Sequence, residues 1–218
     1  FSEEALPSFD IQNSKFILSF GADFLSTWGS PVQFAQGFGR FRQGANRKLG
    51  TFVQVDSRFS TTAASADQWI PINPGFEGML ALSIAQVIIS EHLVSDDRIN
   101  AMTNGQGSGS LDSFAPEVIA NKLGIPPLRE KNQVQIIREL ARDFARHGHH
   151  SLAIGGGSSG AHTNGLFNLS AIYSLNFLVD NVGREGGVIL NPSPPLPEFK
   201  TTLSPSTPSD LSLIHISE

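Results

Sequence analysis

Residues 50–82 read GTFVQVDSRFSTTAASADQWIPINPGFEGMLAL, and this alternation of apolar and polar runs leaves few folds open. Thr51, Phe52, Val53 and Val55 make a β-branched and aromatic run that is apolar at most positions. Such a run predicts a strand buried on both faces of a parallel sheet. The chain then turns polar at once, with Asp56, Arg58, Ser60, Thr61 and Thr62 where that strand should end. In open α/β sheets ligands bind at the carboxyl ends of the strands, so these side chains are candidates for contact with one. A second apolar burst at 69–72 leads into Asn73-Pro74-Gly75, and Met79, Leu80, Leu82, Ile84 and Val87 then carry a helix to about Ile89.

The flanking segments extend the same pattern. Residues 15–20 predict a strand, and Gly21-Ala22-Asp23 at its carboxyl end is where a phosphate-facing turn sits in a nucleotide-binding β-α-β unit. This turn has one glycine where the dinucleotide fingerprint has three. Trp28, Val32, Phe34, Phe38 and Phe41 predict an amphipathic helix over 26–42, opened by Ser30-Pro31. Arg40, Arg42, Arg47 and Lys48 form a basic cluster, read as a solvated helix end or as contact with an anion. Residues 1–14 read as a connecting loop or fraying helix, and 103–113 as a flexible loop. Ala115-Pro116-Glu117 starts a short helix that Gly124 caps, and Val134, Ile137, Leu140, Ala141 and Phe144 predict a longer one that covers a sheet face. His147, His149 and His150 fall at its end and read as a solvated terminus, since no Asp, Glu or Cys follows closely to complete a metal site. A strand at 152–154 runs into Gly155-Gly156-Gly157, a turn that lets backbone approach a ligand, and His162 beyond it is either ligand-facing or bonded to nearby backbone. A helix is expected over 163–182.

Composition narrows the function classes. The 218 residues carry a net charge of −5, which gives no footprint for a nucleic-acid backbone. Cysteine is absent, so these residues hold no disulfide, cysteine-ligated zinc or iron–sulfur cluster. No apolar run reaches the length of a membrane span, since Ser83 and Gln86 interrupt the longest. Residues 192–208 are rich in Pro, Ser and Thr and bury too little apolar surface to fold alone.

The segment VDSRFSTTAASADQWIPINPG closely resembles one in the molybdopterin-dependent oxidoreductases of the dimethyl sulfoxide reductase and formate dehydrogenase superfamily, which reads VDPR, then TA, AD, a short apolar run and PGTD. LAIGGGSSGAHTNG at 152–165 continues the resemblance, and LVDNVGREGGV at 178–188 is similar to the family's LTGNIGxPGG. The resemblance implies an α/β fold: a parallel-sheet, dinucleotide-binding-like domain with helices on both faces over residues 1–150, and part of a neighbouring α/β lobe over 151–191. Residues 192–218 are expected to be an unstructured tail, whose last residues, LSLIHISE, look like translated adapter sequence.

The implied cofactor is a molybdopterin guanine dinucleotide. The resemblance puts Gly21 and Asp23 near its phosphates or ribose, and Asp56 and Arg58 at the nucleotide edge and charge. Thr62, Pro74, Gly75, Glu77 and His162 complete the set, with Glu77 where the family has the Asp of PGTD and Phe76 where it has the Thr. No residue matches a catalytic or metal-ligating context, so this portion by itself is expected to be inactive. The resemblance further implies an internal piece of an oxidoreductase subunit taking part in electron transfer. Iron–sulfur clusters would lie elsewhere in its parent chain, its partners would be iron–sulfur and membrane-anchor subunits, and its location the periplasm or the outer face of the cytoplasmic membrane. GADFLSTWGSPVQF is similar to the quinone-reducing and alternative complex III branch, whose molybdopterin-like subunits keep the fold without the cofactor. A plain nucleotide-binding α/β module and a purely structural interaction domain are the readings from other classes.

Overall fold

The computed structural model describes residues 7–43, 49–128 and 130–190. The tail at 192–218, with Arg47 and Lys48 of the basic cluster, lies outside them. Four parallel strands form the central sheet in the order β4-β3-β2-β5, with β2 at Phe16–Phe20, β3 at Thr51–Asp56, β4 at Gln68–Pro71 and β5 at Ser151–Gly155. β2 and β3 are adjacent and parallel, from Phe16 opposite Thr51 to Phe20 opposite Val55. Every residue of β2 is buried, as its apolar run requires for a strand covered on both faces.

Alternate side chains of the strands supply two cores. Phe16, Leu18, Phe20, Val53, Val55 and Ile70 face one side. There they meet α3 (Glu77–Ser90), α5 (Pro116–Leu123), α6 (Gln133–Arg146) and α7 (Gly165–Leu178). Ile17, Phe52, Leu152 and Ile154 face the other side, against Phe34 and Phe41 of α1 (Pro31–Gln43). α3 is buried almost all round because it lies between α6 and α7, which suits a helix apolar on every face. α6 starts with a reciprocal Asn132–Gln135 capping box and turns Ile136, Ile137, Leu140, Ala141 and Phe144 inward. Two shorter helices, α2 (Thr61–Ala64) and α4 (Asp96–Thr103), complete the set, the latter with Asp96 and Asp97 in its first turn.

The expected boundary near residue 150 does not divide the fold. β5 pairs with β2 from Phe16 opposite Ser151 to Phe20 opposite Gly155, so residues 151–155 complete the same sheet that contains β3. The physical reason is the row Phe52, Ile17 and Leu152, three apolar side chains in register on one face. Three smaller expectations are corrected as well. Pro7–Phe9 is a strand, β1, antiparallel to β6 (Val188–Leu190). Residues 107–114 form 3-10 turns instead of an open loop. The last helix ends at Leu178, where the chain turns left-handed at Asp180, before the glycines begin.

The outer edge of β5 is sealed from within the chain. Asn176 accepts from the Ala153 N–H and donates to the Ala153 carbonyl, both at 2.9 Å, as a neighbouring strand would. Asn181 donates to the Ser151 carbonyl, and the Tyr173 hydroxyl to that of Gly155. Burial pushes the Tyr173 hydroxyl up to about 12.

Glu91 at the end of α3 accepts from Arg138 and Arg142 of α6, and Arg138 also reaches Glu117 of α5. These bonds hold the Glu91 and Glu117 carboxyls below the ordinary carboxylate value, Arg142 contributing most at Glu91 and Arg138 at Glu117. A depressed folded-state value gives stability that is present above the unfolded value and lost as pH falls through the folded one. Glu91→Gln should therefore flatten the acid limb of the stability curve while leaving its alkaline limb unchanged, as read from denaturant midpoints across pH.

Candidate functional site

The strand order reverses direction between β2 and β5: the chain moves outward through β3 and β4, then returns to the other side of β2. A crevice opens at the carboxyl side of such a switch point, and ligands of doubly wound sheets sit there. In this chain the crevice is a cleft of about 420 Å³ lined by Gly21, Asp23, Trp28, Asp56, Arg58 and Ser158 among others.

Two glycines bring its walls together. Gly21 turns the chain out of β2 with φ +66°, and its N–H bonds the Val55 carbonyl at 2.9 Å. Gly157, with φ +53°, meets it from beyond β5, and the Ser158 N–H bonds the Gly21 carbonyl at 3.3 Å. A methyl on Gly21 would come within 3.0 Å of Ser158 and Ser159, and one on Gly157 within 3.0 Å of the Gly21 carbonyl. Only glycine accepts both the left-handed backbone and this approach.

Two carboxylates face the cleft. Asp56 ends β3 and is 2 % exposed; its Oδ1 accepts from the Arg58 N–H and the Ser158 hydroxyl, each at 3.2 Å, and its Oδ2 from Gln54 at 3.4 Å. Asp23 accepts the Thr62 hydroxyl at 2.5 Å, and Arg58 stands 3.5 Å from its other oxygen. That ion pair is long and the arginine side chain is 70 % exposed, so the guanidinium is free to turn toward an anion. Both carboxylates keep unused acceptor positions, since each oxygen has two lone pairs.

The remaining predicted residues divide. Thr62 is fully buried, and its hydroxyl also accepts from the Leu25 N–H at 3.2 Å; it holds Asp23 in place and does not line the cleft. Pro74, Gly75 and His162 come together in a second, more open cleft of about 470 Å³ with Phe76, Met79 and Asn164. Asn164 closes it by donating to the Gly75 carbonyl at 2.8 Å. Glu77 lies beneath, fully buried at the start of α3, with Asn168 donating to its Oε2 at 3.3 Å and its Oε1 without a hydrogen-bond partner of normal geometry. Burial pushes its carboxyl above the ordinary value, offset in part by nearby backbone amides and His162. A raised folded-state value means stability falls as pH rises from the unfolded value through the folded one. Glu77→Gln should remove that penalty, so its gain in unfolding free energy should be larger at about pH 7 than at about pH 4.

A third cleft, of about 350 Å³ and lined by Trp69, Leu128, Lys131 and Leu140 among others, opens at the amino ends of β3 and β4. It lies at the wrong end of the strands for ligand binding in this architecture. Among the described residues no cluster of His, Cys, Asp or Glu could hold a metal ion. Arg42 of the basic cluster is spent on structure, bonding Asp67 and the carbonyls of Gly50 and Ser65. The expected ligand-approach turn at Gly155-Gly156-Gly157 does reach the cleft, through Gly157. Sequence reasoning missed Ser158 and Trp28 as cleft residues, and the continuation of that turn into Ser158-Ser159-Gly160 was the available signal for the first.

Known proteins resemble the chain along most of its length. The molybdopterin-binding-like subunit of a menaquinone reductase from Nitratidesulfovibrio vulgaris is 29 % identical over 181 residues, covering 83 % of this chain and 24 % of that protein. A dimethyl sulfoxide reductase of Escherichia coli is 28 % identical over 200 residues, covering 82 % and 23 %. The chain thus spans about a quarter of the length of these relatives. Acetylene hydratase from Pelobacter acetylenicus shares the fold, with a TM-score of 0.68 at 20 % identity over 85 % of this chain and 24 % of that one. The model of the molybdopterin oxidoreductase family matches residues 3–192, nearly the whole chain, and the chain belongs to that family.

Proposed function

We propose that the chain is the part of a larger molybdopterin oxidoreductase subunit that holds the guanine nucleotide of a molybdopterin guanine dinucleotide in the cleft between β2 and β5. The observation that carries this reading is the pair of carboxylates, Asp23 and Asp56, held with free acceptor capacity at the switch point. Guanine and ribose present N–H and O–H donors that such carboxylates accept. Gly21 and Gly157 let the two turns that wall the cleft close on each other, and Arg58 can pair with a phosphate. The residues therefore fit the group. When bound, the cofactor supplies the redox chemistry, while the residues of this chain bind and orient it. Pro74, Gly75 and His162 extend the surface along which the dinucleotide runs. Electron transfer with iron–sulfur and membrane-anchor partners, at the periplasmic side of the membrane, belongs to the same proposal.

A second reading has its own support. One relative is named as a molybdopterin-binding-like subunit of a menaquinone reductase, and a cofactor-less structural subunit of a quinone-reducing complex would keep the same fold. Analysis of the purified full-length subunit for molybdenum, pterin and acid-released guanine nucleotide decides between them. The leading reading expects stoichiometric guanine nucleotide together with pterin. Protein that contains neither supports the cofactor-less alternative.

A further inference from the structure

Trp28 stands in the turn before α1, where Asp23 gathers the N–H groups of Ser26, Thr27 and Trp28 on its carbonyl, and it lines the cleft beside Gly157. Its indole packs against two phenyl rings, Phe34 with ring centroids 5.6 Å apart and planes 13° from parallel, and Phe9 at 5.5 Å and 47°. The edge carrying the ring N–H packs against Gly156, where even a methyl would fall inside 3.0 Å of Nε1. The other tryptophan, Trp69, gives its indole N–H to the Asp56 carbonyl at 3.2 Å, whereas that of Trp28 has no acceptor among the described residues. An indole nitrogen donates and never accepts. The backbone N–H of Gly157 close by is also without a partner among the described residues.

Resting on the nucleotide reading above, we infer that Trp28 is a further binding residue of this site, its clamped N–H donating to a phosphate oxygen of the bound nucleotide. The two phenyl rings fix the indole before the ligand arrives, so no side-chain rotamer has to be frozen on binding. An anionic oxygen is the acceptor that gains most from such a donor, because charge-assisted hydrogen bonds are about twice as strong as neutral ones. Asp23 and Asp56 serve the donor groups of the base and sugar, and Trp28 with Arg58 serves the phosphates.

The test uses the full-length subunit produced without cofactor, with guanosine diphosphate and guanosine as separate probes in equilibrium dialysis. Trp28→Phe keeps an aromatic ring against Phe9 and Phe34 and deletes the N–H. It should weaken binding of the diphosphate about tenfold or more and leave guanosine within about twofold. In wild-type protein the indole N–H proton resonance of Trp28 should move downfield with the diphosphate and stay in place with guanosine, a reading that does not depend on the variant folding. Equal losses for both probes, or no loss for either, would overturn the inference and leave the nucleotide reading standing. Wild-type protein that binds neither probe would overturn both.

Discussion

Asn176→Leu should lower the unfolding free energy by about 3–5 kcal/mol. Asn176 is fully buried and satisfies both the N–H and the carbonyl of Ala153 on the outer edge of β5. It also accepts from Asn181 at 2.8 Å, and Asn181 in turn covers the Ser151 carbonyl. Leucine would fill the volume and leave the two backbone groups of Ala153 buried and unpaired, at about 1–3 kcal/mol each. Ser174→Ala, two residues away in α7, removes a partly buried bond to the Ala171 carbonyl and should cost about 1 kcal/mol or less. Denaturant unfolding of the two variants side by side gives the comparison. A loss of about 1 kcal/mol for Asn176→Leu would mean that the edge of β5 is solvated and that the amide is not its seal.

Gly157→Ala should cost about 2–4 kcal/mol and loosen the cleft at the same time. The left-handed backbone penalises any L side chain by about 1–2 kcal/mol, and the new methyl meets a backbone carbonyl, Gly21, which has no rotamer to escape into. Relief requires the turn after β5 to move away from the turn after β2, and these are the two walls of the cleft. Gly39→Ala in α1, where nothing lies within 4 Å of the new methyl, should be neutral or slightly stabilising. A thermal midpoint for Gly157→Ala equal to that of Gly39→Ala would contradict the tight approach of the two turns.

These sites mark what local sequence could and could not reveal. β2, β3, α1 and α6 were legible because their signals are local: mostly apolar strands, Ser30-Pro31, and an apolar stripe at helical spacing. The position of Asp56 and Arg58 at the end of β3 followed from the same abrupt change of character. The membership of β5 in the sheet was not legible, because its partner β2 lies far upstream and its own apolar core is only Leu152, Ala153 and Ile154. The family analogy placed a boundary there, and the register of Leu152 with Ile17 removes it. Thr62 was read as a cofactor contact because it sits in a polar loop. In the fold that loop contains the short helix α2, which buries it against Asp23. Trp28 was read as one apolar residue of a helix that in fact begins at Pro31. Asn176 and Asn181 carried no signal, since an asparagine near the end of an apolar helix looks the same whether it faces water or the edge of a sheet.

Asp56 is proposed to hold the nucleotide of the cofactor at the switch point. The most direct test is the guanine nucleotide retained by the full-length subunit after gel filtration, compared between wild type and Asp56→Asn. Asparagine keeps an oxygen for Ser158 and the Arg58 N–H and removes the charge, so the fold should survive with an unchanged thermal midpoint. Loss of one charge-assisted hydrogen bond is worth about 1.5–3 kcal/mol, so retained guanine nucleotide should fall about tenfold or more. A variant that keeps as much guanine nucleotide as a nucleotide-bearing wild type would contradict the account.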